Sequence, residues 1–234
     1  MLRKNKSPFL RDVYLAYLID GAKRTKTDGY PIIEDWMVAD KPPKDMIQWD
    51  RRNDAKEDSK IAMSFYCCDP AFQPILNNPI KYVEKLKKYY CIVGLDASPY
   101  DNMPLVVQKS QIFLNLACTF FYGMQGIKVI PNVRVGDDRT LSSLKAYPKH
   151  TLISIGTNGF IKQIDNRYKF ADQVQKIIDY LEPSGICVYG KACNEIFDYA
   201  SLKGIPIYQF DSYTMKQNKK DKIKNLSEEA TYER

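Results

Sequence analysis

Five short apolar runs, each followed at once by polar residues, limit the folds open to this chain more than any other feature. They are IAMSFYCCD (61–69), CIVGLDASPYD (91–101), IKVIPNVR (127–134), LISIGTN (152–158) and ICVYGK (186–191). A sixth run, IPIYQFDS (205–212), follows the pattern less closely. Continuous apolar runs separated by helical segments are typical of parallel strands that are buried on both faces. The chain is therefore predicted to be an α/β protein with a mostly parallel sheet.

Segments with helical patterns lie between most of the runs, at 78–90, 103–124, 168–181 and 194–202. Such serial β/α units fit two architectures: a barrel-like one, meaning an irregular or incomplete β/α barrel, or an open doubly wound sheet. The serial order and the short spacings favour the barrel-like arrangement. Asp101 or Asn102 is the expected N-cap of the longest helix, and Asn78 that of the first.

Composition divides the chain into an N-terminal arm and lead-in (1–58), an α/β core domain (59–213) and a polar basic tail (214–234). The arm is predicted to contain a short helix at 9–19. Trp36 and Trp49 lie in a Pro- and Asp-rich stretch of the lead-in and are predicted to pin it to the core. Stacking of the two indoles on nucleic-acid bases is the alternative.

The net charge of +7 is partly concentrated near the two ends of the chain. Residues 1–30 carry seven Lys/Arg against three Asp, and NKKDKIKN (218–225) forms a second basic cluster. A solvated surface explains such clusters, and contact with a nucleic-acid phosphate backbone is the alternative.

Several classes of protein are disfavoured. The six cysteines form no CxxC pair and Cys67 adjoins Cys68, which argues against a disulfide framework or a zinc site and predicts reduced thiols in a cytoplasmic protein. His150 is the only histidine and precedes the fourth run, so catalysis by a His-based triad is not expected. No signal peptide and no apolar run of about 18 residues is evident, so no membrane association is expected.

Polar side chains at the carboxyl ends of the predicted strands are the candidate functional residues, because parallel strands bring these ends to one edge. Asp69 and Asp96 are the candidate catalytic residues. Together with Asp101 they are also candidate ligands of Mg²⁺ or Mn²⁺, which prefer oxygen donors. Candidate substrate-binding residues, suited to a phosphate or carboxylate and its polar neighbours, are Tyr100, Asn132, Arg134, Asn158 and Lys191.

The order of DASPYDNMP (96–104), a long aromatic-rich helix, VIPNVR (129–134), ISIGTNG (153–159) and VYG (188–190) resembles a domain-of-unknown-function family. That family occurs in bacteriophages and mobile elements of low-GC Gram-positive bacteria. The resemblance spans roughly residues 60–210. Ala97 stands where the family pattern has a bulky aromatic residue, and the Trp that commonly follows the Asn-Val pair is absent. The resemblance implies a phage or mobile-element context and supplies no catalytic residue.

Three hypotheses on function follow. The first is an enzyme acting on a phosphorylated substrate, a nucleotide or nucleic acid, at the strand ends. The second is a nucleic-acid-binding or replication-associated accessory protein without catalysis, which relies on the lysine clusters. The third is an inhibitor that binds a host protein through Trp36, Trp49 and the arm. All three are expected to act in the host-cell cytoplasm.

Overall fold

The structure, a computed structural model, describes residues 15–54, 59–157 and 164–232. Within these ranges seven strands alternate with six α-helices. The strands are β1 (Asp45–Gln48), β2 (Ile61–Ser64), β3 (Cys91–Val93), β4 (Val129–Ile130), β5 (Leu152–Gly156), β6 (Gly185–Tyr189) and β7 (Ile207–Phe210). The helices are α1 (Asp69–Asn77), α2 (Val83–Leu86), α3 (Leu105–Met124), α4 (Ile164–Leu181), α5 (Asn194–Leu202) and α6 (Tyr213–Tyr232). Shorter 3₁₀ helices span Ala16–Ile19, Asp35–Met37, Trp49–Arg51, Pro79–Tyr82 and Asp138–Ala146.

The strands form two parallel sheets, ordered β1-β2-β3-β4 and β5-β6-β7. Every pair of neighbouring strands is parallel, from Asp45 opposite Ile61 in the first sheet to Tyr189 opposite Phe210 in the second. A doubly wound sheet needs a reversal of strand order, and neither sheet has one. The predicted α/β class is confirmed, and strand order follows the barrel-like alternative, although the described strands do not close into a barrel.

The two sheets meet at the end of β4. The amide of Val133 donates to the carbonyl of Ser154 at 3.0 Å, and the amide of Ser154 donates to the carbonyl of Pro131 at 2.8 Å. An isolated parallel bridge pairs Asn132 with Ser154. All seven strands therefore point the same way, and their carboxyl ends lie on one side of the molecule.

Helix α6 connects β1 with the second sheet, on the side where the first and last strands do not pair. Nζ of Lys216 lies 2.8 Å from each carboxylate oxygen of Asp45 and donates to the carbonyl of Met46 at 3.1 Å. The amide of Tyr213 donates to the hydroxyl of Tyr189 on β6 at 3.1 Å. Helix α6 thus bridges two edges that do not pair with each other.

Helix α3 begins after Pro104, later than predicted. A residue that precedes proline is disfavoured in helical backbone, so Met103 stays outside the helix. The prediction that Asp101 or Asn102 caps α3 is therefore wrong: the N-cap position is Pro104, and no side chain caps the helix. Gly126 follows its other end with φ 80°, a conformation that favours glycine.

Other elements differ from the sequence prediction in length or position. The single helix predicted at 78–90 is divided into the 3₁₀ turn Pro79–Tyr82 and the one-turn helix α2, although Asn78 does cap the first, accepting from the amide of Lys81 at 3.3 Å. Strand β1 lies in the segment assigned to the lead-in. Only part of the predicted arm helix is described, and that part contains the 3₁₀ helix Ala16–Ile19. The division into arm, core and tail stays a prediction.

The buried apolar side chains form one continuous core across both sheets. Trp49 is 1% exposed and packs edge-on against Tyr82, with ring centroids 5.1 Å apart, whereas Trp36 is 55% exposed. Only Trp49 of the two indoles therefore pins the lead-in to the core. All six thiols are free, and no helix in the described part of the chain has the length and apolarity needed to cross a bilayer.

Candidate functional site

A cleft of about 930 Å³ opens at the carboxyl ends of the strands. Its walls are formed by the segments that follow β1 to β4, by the end of β5, by α4 and by the start of α6. The lining includes Gln48, Asp50, Arg51, Tyr66, Cys67, Cys68, Asp69, Asp96, Ser98, Tyr100, Asp101, Arg134, Gly136, Gly156, Asn166, Lys169, Phe170, Gln173, Tyr213 and Thr214.

Asp96, which follows β3, forms part of the cleft lining and pairs with Arg134. Its Oδ1 lies 2.9 Å from Nε of Arg134, and the two side chains are only 13% and 10% exposed. Asn132 Nδ2 donates to the same oxygen at 2.7 Å. Burial raises the pKa of Asp96 and the nearby charge of Asp69 adds to the rise, while Arg134 and the hydrogen bond from Asn132 oppose it. Because its pKa is raised, Asp96 can exchange protons closer to neutral pH than a surface aspartate does.

Asn132 is held in one orientation beneath Asp96. Its Nδ2 also donates to the carbonyl of Leu95 at 2.9 Å, and its Oδ1 accepts from the hydroxyl of Tyr66 at 3.0 Å. The hydroxyl of Tyr147 donates to its backbone carbonyl at 3.3 Å. The amide is therefore fixed so that its N–H faces the carboxylate.

Tyr66 links this group to the second sheet. Its hydroxyl lies 2.8 Å from Oγ of Ser154, which in turn lies 2.9 Å from the carbonyl of Cys187. The ring stacks on Tyr189 with centroids 5.0 Å apart and planes 13° apart. Burial, with a further contribution from the charge of Asp96, keeps the pKa of Tyr66 well above its usual value. The phenol therefore stays protonated.

The side walls combine cations with planar and amide groups. Lys169 on α4 is exposed at the wall, and Gln173 on the same helix donates to the carbonyl of Gly136 at 2.7 Å. The guanidinium of Arg51 lies 4.2 Å above the ring of Tyr213 at the start of α6. These groups suit a ligand that carries both negative charge and a flat ring.

Gln108, fully buried on α3, anchors two loops of the cleft. Its Nε2 donates to the carbonyl of Met103 and to Oδ2 of Asp137, both at 2.8 Å, and its Oε1 accepts from the amide of Asp137 at 2.8 Å. The same Nε2 lies 3.3 Å from the carbonyl of Asp101. The loop after β3 is thus held to the loop after β4 by one side chain.

The structure brings most of the predicted site residues together. Asp69, Asp96, Tyr100, Asp101 and Arg134 line the cleft, and Asn132 lies directly beneath it. Lys191 does not reach the lining: it is exposed, and the chain before it turns at Gly190 with φ 107°. Asn158 lies outside the described residues. The roles predicted for these side chains stay predictions.

The metal site predicted at Asp69, Asp96 and Asp101 stays a prediction. Among the residues that the structure describes, no group of three or more His, Cys, Asp or Glu side chains is placed to hold a metal ion. Oδ1 of Asp96 is instead approached by Arg134 and Asn132. Mg²⁺ often binds through one or two carboxylates and keeps its waters, so a site for this ion does not need such a group.

Two polar residues of this site, Tyr66 and Ser154, were missed by the sequence analysis. Both lie inside or next to apolar runs and are buried. The available signal was the polarity itself, because a polar side chain in a strand buried on both faces has to find a hydrogen-bond partner.

Comparison with known proteins gives a family and one distant relative. A family profile described as "Domain of unknown function (DUF4417)" matches residues 27–211. The "Gene 1 protein" of Mycobacterium phage L5 is 22% identical over 181 residues, which cover 75% of this chain and 79% of that protein. No solved structure matches the chain.

Proposed function

This chain belongs to the family of the domain of unknown function DUF4417, and we propose that it is a phage-related enzyme acting on a phosphorylated, nucleotide-like substrate. The phage relative supports the phage context. A source in low-GC Gram-positive bacteria or their phages and mobile elements, and a place of action in the host cytoplasm, are part of the same proposal. The observation that carries the proposed enzymatic activity is the ion pair of Asp96 and Arg134 in the cleft at the strand ends.

A buried ion pair is a poor way to stabilise a fold. Taking both charges out of water costs several kcal/mol per ion, and well-packed apolar residues in their place are often neutral or stabilising. The pair formed by Asp96 and Arg134 lies in a large cleft at the end of the fold where parallel α/β proteins place their sites. A role in binding or chemistry explains its presence better than stability does.

Asp96 is suited to proton transfer. Arg134 and Asn132 both approach Oδ1 of the carboxyl, so a neutral Asp96 carries its proton on Oδ2. A neutral Asp96 can donate this proton from Oδ2 to a leaving group. An ionised Asp96 can instead accept a proton from an attacking water or hydroxyl. Lys169 provides a point charge for a phosphate, and Arg134, whose Nε pairs with Asp96, is the proposed phosphate-binding arginine.

Nucleic-acid binding without catalysis has less support. It relies on the basic residues of the arm and of the tail, and in the tail Lys216 pairs with Asp45 at 2.8 Å and Lys219 with Asp211 at 2.5 Å. These two charges are already compensated within the chain. The inhibitor hypothesis loses one of its contact residues, because Trp49 is buried in the protein's own core.

Ligand-induced stabilisation tests the proposal, with two lysines of α4 as a matched pair. Lys169 lines the cleft, whereas Lys176 lies outside the lining and pairs with Asp138 and Asp172. The wild-type protein, Lys169→Ala and Lys176→Ala are heated with a panel of mono-, di- and triphosphate nucleotides, each with and without Mg²⁺ or Mn²⁺.

A nucleotide at about 100 times its Kd is expected to stabilise the wild type by about 2.7 kcal/mol. Lys176→Ala should respond equally, and Lys169→Ala should need a higher concentration. The nucleotide that stabilises is then incubated with wild type and with Asp96→Asn, and its conversion is followed by chromatography. Conversion of the nucleotide by the wild type and not by Asp96→Asn supports the proposal that the protein is an enzyme. Absence of stabilisation by every nucleotide, or equal conversion by Asp96→Asn, would overturn it.

A further inference from the structure

Arg51 and Tyr213 form a flat surface on the wall of the cleft. The guanidinium of Arg51 lies 4.2 Å from the centroid of the Tyr213 ring, and both residues line the cleft. Proteins stack nucleobases on aromatic rings and on the plane of arginine guanidinium groups. The Arg51–Tyr213 surface is therefore suited to hold the base of a nucleotide.

Both residues of this surface are held in place by the core of the protein. Arg51 ends the 3₁₀ helix Trp49–Arg51, and the indole of Trp49 is buried. The amide of Tyr213 donates to the hydroxyl of Tyr189 on β6 at 3.1 Å. Because the surface is already positioned, little freedom has to be lost when a ligand stacks on it.

The carboxylate of Asp50 lies beside the Arg51–Tyr213 surface. Asp50 also lines the cleft, and its side chain is 36% exposed. Its Oδ2 lies 4.0 Å from Nε of Arg51, which is longer than a hydrogen bond. A carboxylate only accepts hydrogen bonds, so a base on this surface has to present donors to Asp50.

Among the common nucleobases, guanine alone has two adjacent donors on one edge. Its N1–H and its 2-amino group can each donate to one oxygen of a carboxylate, in a bidentate arrangement. Adenine and cytosine have a ring acceptor next to the amino group, and a carboxylate repels that acceptor. Uracil and thymine have a single N–H between two carbonyls. A carboxylate at the base site therefore favours guanine over the other bases.

The phosphate-binding groups lie at a suitable distance from this surface. Arg51 belongs to the segment after β1 and Arg134 to the segment after β4, at opposite edges of the first sheet. Neighbouring strands are about 4.8 Å apart, so about 14 Å of sheet separates the two segments. A nucleotide laid across the cleft can span this length, with its base at one end and its phosphates at the other.

We propose that the cleft binds a guanine nucleotide. Its base stacks on the Arg51–Tyr213 surface, and its N1–H and 2-amino group donate to Asp50. The inference rests on the proposed function for the phosphate end of the ligand and adds the identity of the base.

Asp50→Asn tests the hydrogen bonds to the base by isothermal titration calorimetry with GMP, AMP and xanthosine monophosphate. The wild type is expected to bind GMP at least about tenfold more tightly than AMP. The asparagine amide can accept from N1–H and donate to the 2-carbonyl of xanthine, so the variant should prefer xanthosine monophosphate to GMP. Asp54→Asn is the control, because Asp54 is exposed on the same segment and lies outside the cleft lining.

Tyr213→Leu tests the stacking surface with GMP and ribose 5-phosphate, which has no base. Loss of the ring should weaken GMP by about tenfold and leave the affinity for ribose 5-phosphate unchanged. Tyr168→Leu is the control, because Tyr168 on α4 is 61% exposed and lies outside the cleft lining.

A preference for GMP over AMP that Asp50→Asn reverses toward xanthosine monophosphate supports the proposal. Equal binding of GMP and AMP by the wild type, no binding of either, or no reversal in Asp50→Asn overturns it. If Asp50→Asn does not fold, as judged by circular dichroism, the wild-type preference and Tyr213→Leu decide. An absent preference, an unchanged affinity for GMP, or an equal loss for GMP and ribose 5-phosphate then overturns the proposal.

Guanosine and adenosine, which carry no phosphate, separate this inference from the proposed function. If guanosine binds as tightly as GMP, and Asp50→Asn weakens both equally, the cleft holds the base but does not use the phosphate. That result would refute the proposed function and retain the inference. Conversion of nucleotides without any preference among bases would do the reverse.

Discussion

At the scale of single residues, the cleft contains two charges, on Asp96 and Arg134, that compensate each other where little water reaches them. Asp96 has a raised pKa even beside Arg134, because burial outweighs the attraction of the guanidinium. The folded protein therefore needs the positive charge of Arg134 in order to hold Asp96 in its ionised form. This dependence determines how the stability of a variant without the arginine should change with pH.

Arg134→Gln is expected to lower the free energy of unfolding by about 3 kcal/mol at neutral pH, because it leaves a buried carboxylate without its counter-charge. The folded variant then holds a proton on Asp96 at pH values where the unfolded chain has already released it. Its stability therefore falls as pH rises from the usual aspartate pKa through the raised one, and the deficit shrinks on acidification. Urea unfolding of the wild type and of the variant at several pH values measures this difference in the free energy of unfolding.

Arg139→Gln is the control for that experiment. Arg139 pairs with Asp137 at 2.6 Å, but its side chain is 63% exposed, so removing it should change stability little at any pH. A loss in Arg134→Gln that stays constant with pH, or grows in acid, would contradict the role assigned to the arginine.

Gly156→Ala tests how tightly Tyr66 is held. A Cβ at position 156 would lie 2.6 Å from Cε1 of Tyr66, whose ring is stacked on Tyr189. Overpacking of this kind costs about 1–3 kcal/mol. Thermal unfolding of the variant measures the loss, and unchanged stability would show that the tyrosine ring can shift.

The residues of the site were predictable to different degrees. Asp96, Asn132 and Arg134 could be grouped from the sequence because each follows an apolar run, and parallel strands bring such positions together. Ser154 lies inside a run, where its polarity predicts a hydrogen-bond partner without identifying it, and that partner, Tyr66, is 88 residues away. The pairing of two buried polar groups depends on tertiary structure alone. The exit of the chain at Lys191, which takes that side chain away from the cleft, is likewise not a property of the local sequence.

At the scale of elements, most strands were predicted well because strands buried on both faces are continuously apolar. The edge strand β1 was missed: its sequence, DMIQ, has polar residues at both ends, and only Met46 of its four residues is fully buried. Helix α1 was missed because Pro70 and Pro74 are unfavourable to a helix by local rules. Pro70 is tolerated in the first turn, where no intrahelical donor is needed.

Lys216 holds helix α6 to β1 by polar contacts, and Lys216→Ala tests this role. Loss of the contacts to Asp45 and Met46 is expected to raise amide hydrogen exchange in β1 and to leave the central strand β3 unchanged. Mass spectrometry of peptic fragments measures both. Lys220→Ala, an exposed position one turn further along the helix, is the control, and equal exchange in the two variants would refute this function of Lys216.

At the scale of the whole molecule, the two sheets share one apolar core and should unfold together. In a Trp36→Phe variant the fluorescence reports only on Trp49, which is buried beside the first sheet. We expect its transition in urea to coincide with that of far-ultraviolet circular dichroism, which follows the helices of both halves. A fluorescence transition at a different urea concentration would show that the halves unfold separately.

The strand order also has a consequence for synthesis on the ribosome. Within each sheet every strand pairs with the strand made just before it, so none of the seven has to be inserted between two strands that have already paired. Each new β/α unit can dock on the exposed edge of the previous one as the nascent chain lengthens, and contacts between near neighbours in sequence close quickly. Helix α6 leaves the ribosome after all seven strands. The cleft therefore gains its last wall only when the sheets are already in place, and a chain stalled before this helix would expose the edge of β1 to other nascent chains.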